Sequence, residues 1–202
     1  FNISISAEDE HTSEDFMKKN NKLTEKPIAG INPGGGFPTK LWSIERYALL
    51  ADRLAEELGF PILLTWGPGE KEMVQNIAGS MKHPSWIAPK TTIAESIGLY
   101  KKLSLFVGGD SGPFHICWAI GVPTISVWGP TDPNRNGAYS KSHQAVFHKL
   151  NCSFCWKRKC PLGTTECMDK ITVQNMFEAT KKLVSERVMM VTSSQRSTQN
   201  LR

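Results

Sequence analysis

The sequence has no apolar run long enough to cross a bilayer. Its longest apolar stretches, residues 61–66 and 121–128, are short compared with the roughly 20 residues that a transmembrane helix needs. Residues 1–20 are polar and acidic, and they lack the basic segment and apolar stretch that mark a secretory signal peptide. These absences predict a cytoplasmic protein.

The chain also has little excess of either charge sign. It contains 24 Lys and Arg against 19 Asp and Glu, a formal net charge of +5. A nucleic-acid-binding domain usually concentrates its cations on one helix or stripe, so we expect no nucleic-acid partner. The modest positive charge favours the approach of small anionic ligands.

Two widespread phosphate-binding motifs are missing as well. The sequence contains neither the Gly-Lys-Ser/Thr end of a P-loop nor the Gly-x-Gly-x-x-Gly fingerprint of dinucleotide-binding proteins. Any phosphate site must therefore be built from other turns.

Short apolar segments alternate with segments of helical periodicity between residues 26 and 147. Apolar residues of 44–58 recur at helical spacing, with Ser43 as an N-cap and Gly59 as the end of the segment. Nearly continuous apolar runs, typical of strands covered on both faces, lie at 28–32, 61–66, 103–107 and 123–128. We predict an α/β fold: a doubly wound, Rossmann-like parallel sheet of five or six strands.

The two ends differ in composition from this middle part. Residues 1–26 are rich in Ser, Glu and Lys, which predicts an interdomain connector or a short exposed helix around 8–20. Residues 27–187 form the predicted domain, including a cysteine-rich loop at 152–167. Residues 188–202 become rich in Ser, Thr, Gln and Asn, which predicts a flexible tail.

Residues 108–115 follow a predicted strand and open a helix. Gly112 and the Ser111 hydroxyl, at a helix N-terminus, predict a diphosphate site. Asp110 either accepts hydrogen bonds from sugar hydroxyls or caps the helix. His115 lies one turn further along; a lone histidine more often packs in a core, but beside a diphosphate we interpret it as facing the ligand.

Two further turns are expected at the same edge of the sheet, because ligands of such sheets bind outside the carboxyl ends of the strands. Lys40 follows the glycine-rich turn at 33–36, where its ammonium would meet phosphate oxygens. Glu70 opens a helix after Gly67-Pro68-Gly69. It either binds ribose hydroxyls or complements the helix dipole.

These segments together resemble the C-terminal half of the ADP-heptose:lipopolysaccharide heptosyltransferase family. The resemblance covers about residues 28–184 in family order, and no single motif would carry it. Its five motifs are Asn-Pro-Gly-Gly-Gly at 32–36, Thr-Lys-Leu-Trp at 39–42, Trp-Gly-Pro-Gly-Glu at 66–70, Gly-Asp-Ser-Gly-Pro-Phe-His at 109–115 and Gly-Pro-Thr-Asp-Pro at 129–133.

The resemblance implies one half of a GT-B glycosyltransferase, with heptose transferred from an ADP-linked donor to the inner core of lipopolysaccharide. It implies an inverting reaction that needs no metal or other cofactor. At the positions that match the family motifs, the resemblance implies six residues that bind the donor, two of which, Asp110 and His115, would also assist the reaction. The six are Lys40, Glu70, Asp110, Ser111, Gly112 and His115.

The resemblance also places the catalytic base and the acceptor contacts in an N-terminal domain, so we expect these residues alone to bind donor without appreciable transfer. Two alternatives stay open: a nonenzymatic nucleotide-sugar-binding module, and a transferase that uses a different nucleotide sugar.

Four cysteines cluster near the C-terminus, at Cys152, Cys155, Cys160 and Cys167. Such a cluster is consistent with a zinc site, with disulfides, or with reduced thiols that shape a loop, although the second Cys-x-x-Cys pair of a zinc ribbon is missing. Cys117, by contrast, is predicted to be a packed thiol. The segment is also basic and aromatic, which predicts either a solvated hairpin or a contact with the lipopolysaccharide core or with the inner face of the bacterial inner membrane.

Overall fold

The computed structural model describes residues 3–199, with residues 188–199 described by their backbone alone. A parallel sheet is formed by β1 (Ile28–Asn32), β2 (Ile62–Leu64), β3 (Ser85–Ile87), β4 (Leu103–Gly109), β5 (Thr124–Trp128) and β6 (His143–Phe147). Its strand order is β3-β2-β1-β4-β5-β6. The predicted doubly wound α/β fold of five or six strands is confirmed.

Helices cover both faces of the sheet. They are α1 (Ala7–Lys19), α2 (Ile44–Leu58), α3 (Lys71–Ser80), α4 (Ile93–Tyr100), α5 (Gly112–Ala119), α6 (Pro133–Asn136), α7 (Glu166–Asp169) and α8 (Val173–Gln199). One apolar core lies between the sheet and α2, α3 and α8. A second core lies on the opposite face, beneath α1, α4 and α5.

The boundaries of α2 follow from local chemistry, as the sequence predicted. The Ser43 hydroxyl accepts a hydrogen bond from the Arg46 amide, which satisfies one of the free amides of the first turn. Gly59 ends the helix with φ +71°, a left-handed conformation that favours glycine. Between these caps, the apolar side chains of Tyr47, Leu50 and Leu54 are buried against the sheet.

Helix α1 confirms a predicted helix but not its predicted exposure. Its first turn is closed by a capping box between Ser6 and Asp9. Ser13 and Met17, four residues apart on one face, are buried. Gly98 of α4 leaves room for this face, because a Cβ there would lie 2.9 Å from Ser13 Oγ. The segment therefore packs on the sheet-bound helices through α4.

The last helix extends past the boundary that the sequence predicted at residue 187. Its backbone is helical to Gln199, where the composition had predicted a flexible tail from 188 onwards. Residues 200–202 of that tail lie outside the described residues, and the predicted domain boundaries stay predictions.

Within the described part of the chain, no helix combines the length and apolarity needed to cross a bilayer.

The order of the strands locates the site. The chain winds from β1 outward to β2 and β3, then returns to the other side of β1 for β4, β5 and β6. In such a sheet the loops after β1 and β4 diverge and leave a crevice at the carboxyl edge. The predicted ligand residues follow β1, β2 and β4.

Candidate functional site

The strand ends that form this edge are held together by backbone pairing and one buried side chain. Asn32, the last residue of β1, pairs with Gly108 of β4. The Asn32 Nδ2 amide also donates to the Thr65 carbonyl beyond β2, at 3.1 Å. The turns that follow β1, β2 and β4 therefore start from neighbouring, fixed positions.

Lys40 and Asp110 meet across the crevice between β1 and β4. Lys40 ends a 3₁₀ turn at Pro38–Lys40, and Asp110 comes directly after β4. The Lys40 ammonium donates to Asp110 Oδ2 at 2.7 Å, with side chains 13% and 5% exposed. The other carboxylate oxygen of Asp110 lies 3.2 Å from His115 Nε2. The Asp110 carboxylate thus bonds to the side chains of Lys40 and His115 and does not cap α5.

The surroundings of Asp110 keep its carboxyl group ionised. Burial raises its pKa, but hydrogen bonds from His115 and Lys40 and the positive charge of Lys40 outweigh burial and lower the pKa to about 2. At neutral pH, Asp110 is therefore an anion that orients two donors. Because it also neutralises Lys40, the pair itself adds little net positive charge to the crevice.

The N-terminus of α5 has free hydrogen-bonding capacity. Ser111 occupies the N-cap position, but its side chain makes no capping hydrogen bond. Its Oγ is buried and has no hydrogen-bond partner among the described residues. A buried hydroxyl left unpaired costs about 1–3 kcal/mol, so an acceptor atom of a ligand would stabilise it. Beside Gly112 the space is open, since no atom lies within 4 Å of the position of a Cβ.

Glu70 joins the turns after β1 and β2. It precedes α3, yet its carboxylate does not cap that helix. Glu70 Oε2 instead accepts a hydrogen bond from the Gly67 amide at 2.7 Å. The carboxylate lies directly against Gly34, where a Cβ would overlap it. Glycine at position 34 is therefore required for this arrangement, which presents the acid at the edge of the sheet.

The four clustered cysteines line one cavity of about 240 Å³. All five cysteines of the chain are free thiols. Hydrogen bonds from the backbone amides of Thr165 and Leu162 lower the pKa of Cys160. Burial, together with the neighbouring thiols, raises the pKa of Cys167. Cys117 is buried in the core, which confirms its prediction as a packed thiol.

Zinc binding, one of the three alternatives for the cysteine cluster, receives no support from this arrangement. Within residues 3–199, no group of three or more His, Cys, Asp or Glu side chains is arranged to hold a metal ion. The thiols instead face a cavity lined mainly by apolar atoms, among loops of irregular backbone.

The cysteine-rich segment packs against the same edge of the sheet. Thr39 Oγ1 donates to the Lys157 carbonyl at 2.7 Å, and the Trp156 amide donates to the Pro130 carbonyl at 2.9 Å. The expected hairpin is not formed, because residues 152–167 contain no strand, although the segment is exposed or half-buried throughout. Its Arg158 guanidinium lies 4.5 Å from the centre of the Phe37 ring, and Lys40 Nζ lies 4.6 Å from the same centre.

The structure brings Lys40 and His115 into contact with Asp110, and Ser111 and Gly112 follow Asp110 in the chain. Glu70 lies at the next strand end. Sequence reasoning missed Phe37 and Arg158. The basic run at 157–159 was a visible signal, but its contact with the Phe37–Lys40 turn spans 118 residues between Thr39 and Lys157.

Comparison with known proteins gives a consistent picture. The model of glycosyltransferase family 9 (heptosyltransferase) matches residues 2–166. Lipooligosaccharide heptosyltransferase 2 of Campylobacter jejuni subsp. jejuni (serotype O:6) is 27% identical over 164 residues, which cover 78% of this chain and 52% of that protein.

Solved structures share the fold. A family 9 glycosyl transferase from Veillonella parvula superposes with a TM-score of 0.82 at 24% identity, covering 92% of this chain and 54% of that one. The E. coli heptosyltransferase WaaC, solved with ADP, superposes with a TM-score of 0.62 at 24% identity, covering 81% and 45%. The chain spans about half the length of these proteins.

Proposed function

The chain belongs to glycosyltransferase family 9, the heptosyltransferases, and we propose that it binds the ADP-linked heptose donor for transfer to the lipopolysaccharide inner core. The proposal rests on one observation: the Lys40–Asp110 ion pair lies at the N-terminus of α5, next to the buried Ser111 hydroxyl that has no hydrogen-bond partner among the described residues. That is the crevice where doubly wound sheets bind nucleotides. The presence of ADP in the structure of the E. coli relative supports the choice of nucleotide.

Each residue has a role that follows from its chemistry. Lys40 neutralises diphosphate oxygens, while the Ser111 hydroxyl and the Gly112 amide donate hydrogen bonds to them at the helix N-terminus. Glu70 accepts hydrogen bonds from the ribose hydroxyls. Asp110 and His115 face the sugar and its leaving phosphate.

The same groups stabilise the departing diphosphate without a metal ion. As the glycosidic bond breaks, negative charge grows on the phosphate oxygen, and fixed amide dipoles with a held ammonium lower the energy of that state. Inversion also requires a base to take the proton of the acceptor hydroxyl. Asp110 is a poor base, because its pKa is lowered to about 2 and both oxygens are engaged. We therefore assign the base and the acceptor site to a part of the enzyme outside this chain.

Calorimetric titration with ADP, UDP and ADP-heptose tests the donor assignment. Lys40→Ala should weaken ADP and ADP-heptose binding alike, by about 1.5–3 kcal/mol, because it removes a charge-assisted hydrogen bond to the diphosphate. The matched control is Lys141→Ala, which removes an exposed lysine just before β6, at the opposite edge of the sheet.

We expect the Lys141 variant to bind like the unaltered protein. Equal affinity of the Lys40 variant and the unaltered protein for ADP would contradict the site. Equal or tighter binding of UDP would contradict the adenine nucleotide.

A further inference from the structure

We propose that Arg158, carried by the cysteine-rich segment, is a second cation of the diphosphate site. This inference rests on the proposed function and adds to it a residue from a segment that had no role. The cysteine-rich segment would then contribute to donor binding through Arg158.

The first argument is a shortage of positive charge in the crevice. A nucleotide diphosphate carries several negative charges, and Lys40 already shares its charge with the ionised Asp110 at 2.7 Å. The α5 N-terminus adds only a partial positive charge. Binding without a metal ion therefore calls for another cation near Lys40.

Arg158 contacts the same aromatic ring as Lys40. Its guanidinium and the Lys40 ammonium both lie against the Phe37 ring, at 4.5 and 4.6 Å from the ring centre. Among the residues whose side chains are described, no carboxylate forms an ion pair with Arg158. Its positive charge is therefore not offset by a neighbouring carboxylate, as the charge of Lys40 is by Asp110.

The backbone beside Arg158 is fixed on two sides of the crevice. Its neighbour Lys157 accepts the hydrogen bond of Thr39, which directly precedes Lys40. Trp156 donates to Pro130, in the loop after β5. The contact with Phe37 limits the directions in which the side chain can swing. Arg158 is thus exposed to ligand but held beside the turn that carries Lys40.

The guanidinium suits this position better than a second ammonium. Its planar array of donors matches pairs of phosphate oxygens, and it remains charged at every physiological pH. A cation that contacts the leaving diphosphate gains importance as the glycosidic bond breaks, since charge accumulates on that group. Arg158 should therefore assist departure of the leaving group as well as binding.

The test compares Arg158→Ala with Lys159→Ala, a matched control that removes the same charge from the next exposed position. Calorimetric titrations use ADP and adenosine, which lacks phosphate. Arg158→Ala should weaken ADP binding about 3- to 10-fold and leave adenosine binding unchanged, while Lys159→Ala changes neither appreciably. Arg158→Lys should recover part of the loss. Thermal unfolding of each variant checks that the segment stays folded.

Three results would overturn the inference. The first is equal ADP affinity of Arg158→Ala and the unaltered protein. The second is an equal loss in both alanine variants, which would reflect only the general field of the basic segment. The third is equal loss for ADP and adenosine, which would reflect a structural role. Failure of the unaltered protein to bind ADP would instead refute the proposed function, and this inference with it.

Discussion

Lys40 and Asp110 are largely withdrawn from water, at 13% and 5% side-chain exposure, and each is the partner that makes burial of the other tolerable. Removing one member of such a pair leaves a buried charge uncompensated, which costs more than the pair itself contributes. Asp110 is the more deeply buried of the two; although His115 remains as a second partner, Lys40 is the permanent cation beside it, and Lys40 itself lies nearer to solvent. The carboxylate is therefore the member that most depends on its partner.

This asymmetry predicts the result of a double-mutant cycle. Lys40→Ala should lower the free energy of unfolding by about 1–3 kcal/mol at pH 7, because the buried Asp110 loses one of its two hydrogen-bond partners. In an Asp110→Asn background, the same substitution should cost at least about 1 kcal/mol less. Urea unfolding of the four proteins measures both values. Simple additivity of the two substitutions would contradict a coupled pair.

The stabilising effect of Asp110 should also depend on pH in a defined direction. Its pKa in the folded protein is lowered to about 2, below the value of about 3.9 in an unfolded chain. Its contribution to stability is therefore fully present above about pH 4 and is lost as the pH falls towards 2.

Among the local elements, the glycine-rich turn after β1 places the first and the last of its three glycines in different environments. Gly34 is buried against the Glu70 carboxylate, whereas the Cβ position of Gly36 has no atom within 4 Å. A methyl group at position 34 would therefore force the Glu70 carboxylate to move, whereas one at position 36 would meet no atom.

Substitution of these two glycines tests the role of Glu70. Gly34→Ala should displace the Glu70 carboxylate and weaken ADP binding about 2- to 10-fold, as expected for loss of a hydrogen bond to the ribose. Gly36→Ala, two residues away in the same turn, should bind ADP like the unaltered protein. Titration calorimetry compares them, and circular dichroism verifies folding. Unchanged affinity in the folded Gly34→Ala variant would remove Glu70 from the donor site.

Elements with local signals were predictable from the sequence. The caps of α2 and the apolar runs of β1, β2, β4 and β5 correspond to the observed helix and strands. The burial of α1 was not predictable, since it depends on Gly98 accommodating Ser13. Strand β6 was missed because it is only partly buried and lacks an apolar run.

At the scale of the whole molecule, the winding of the sheet explains which site features could be foreseen. Carboxyl ends of parallel strands share one edge, so turns after β1, β2 and β4 were expected to converge. The side-chain contacts between these turns could not be predicted from the sequence. Lys40 and Asp110 are 70 residues apart in sequence, and the pattern around each suggested a ligand rather than a partner. The contact of the cysteine-rich segment with the edge was hidden for the same reason.

This chain matches about half the length of its relatives, and Asp110 in its crevice is a poor base because its pKa is lowered to about 2. We propose that donor binding is the property that these residues supply.

The most direct measurement of that property is a crystal structure of the protein with ADP-heptose bound. We predict a diphosphate within hydrogen-bond distance of Lys40 Nζ, Ser111 Oγ and the Gly112 amide. A diphosphate ordered elsewhere on the protein, with these three groups still free of ligand, would contradict it.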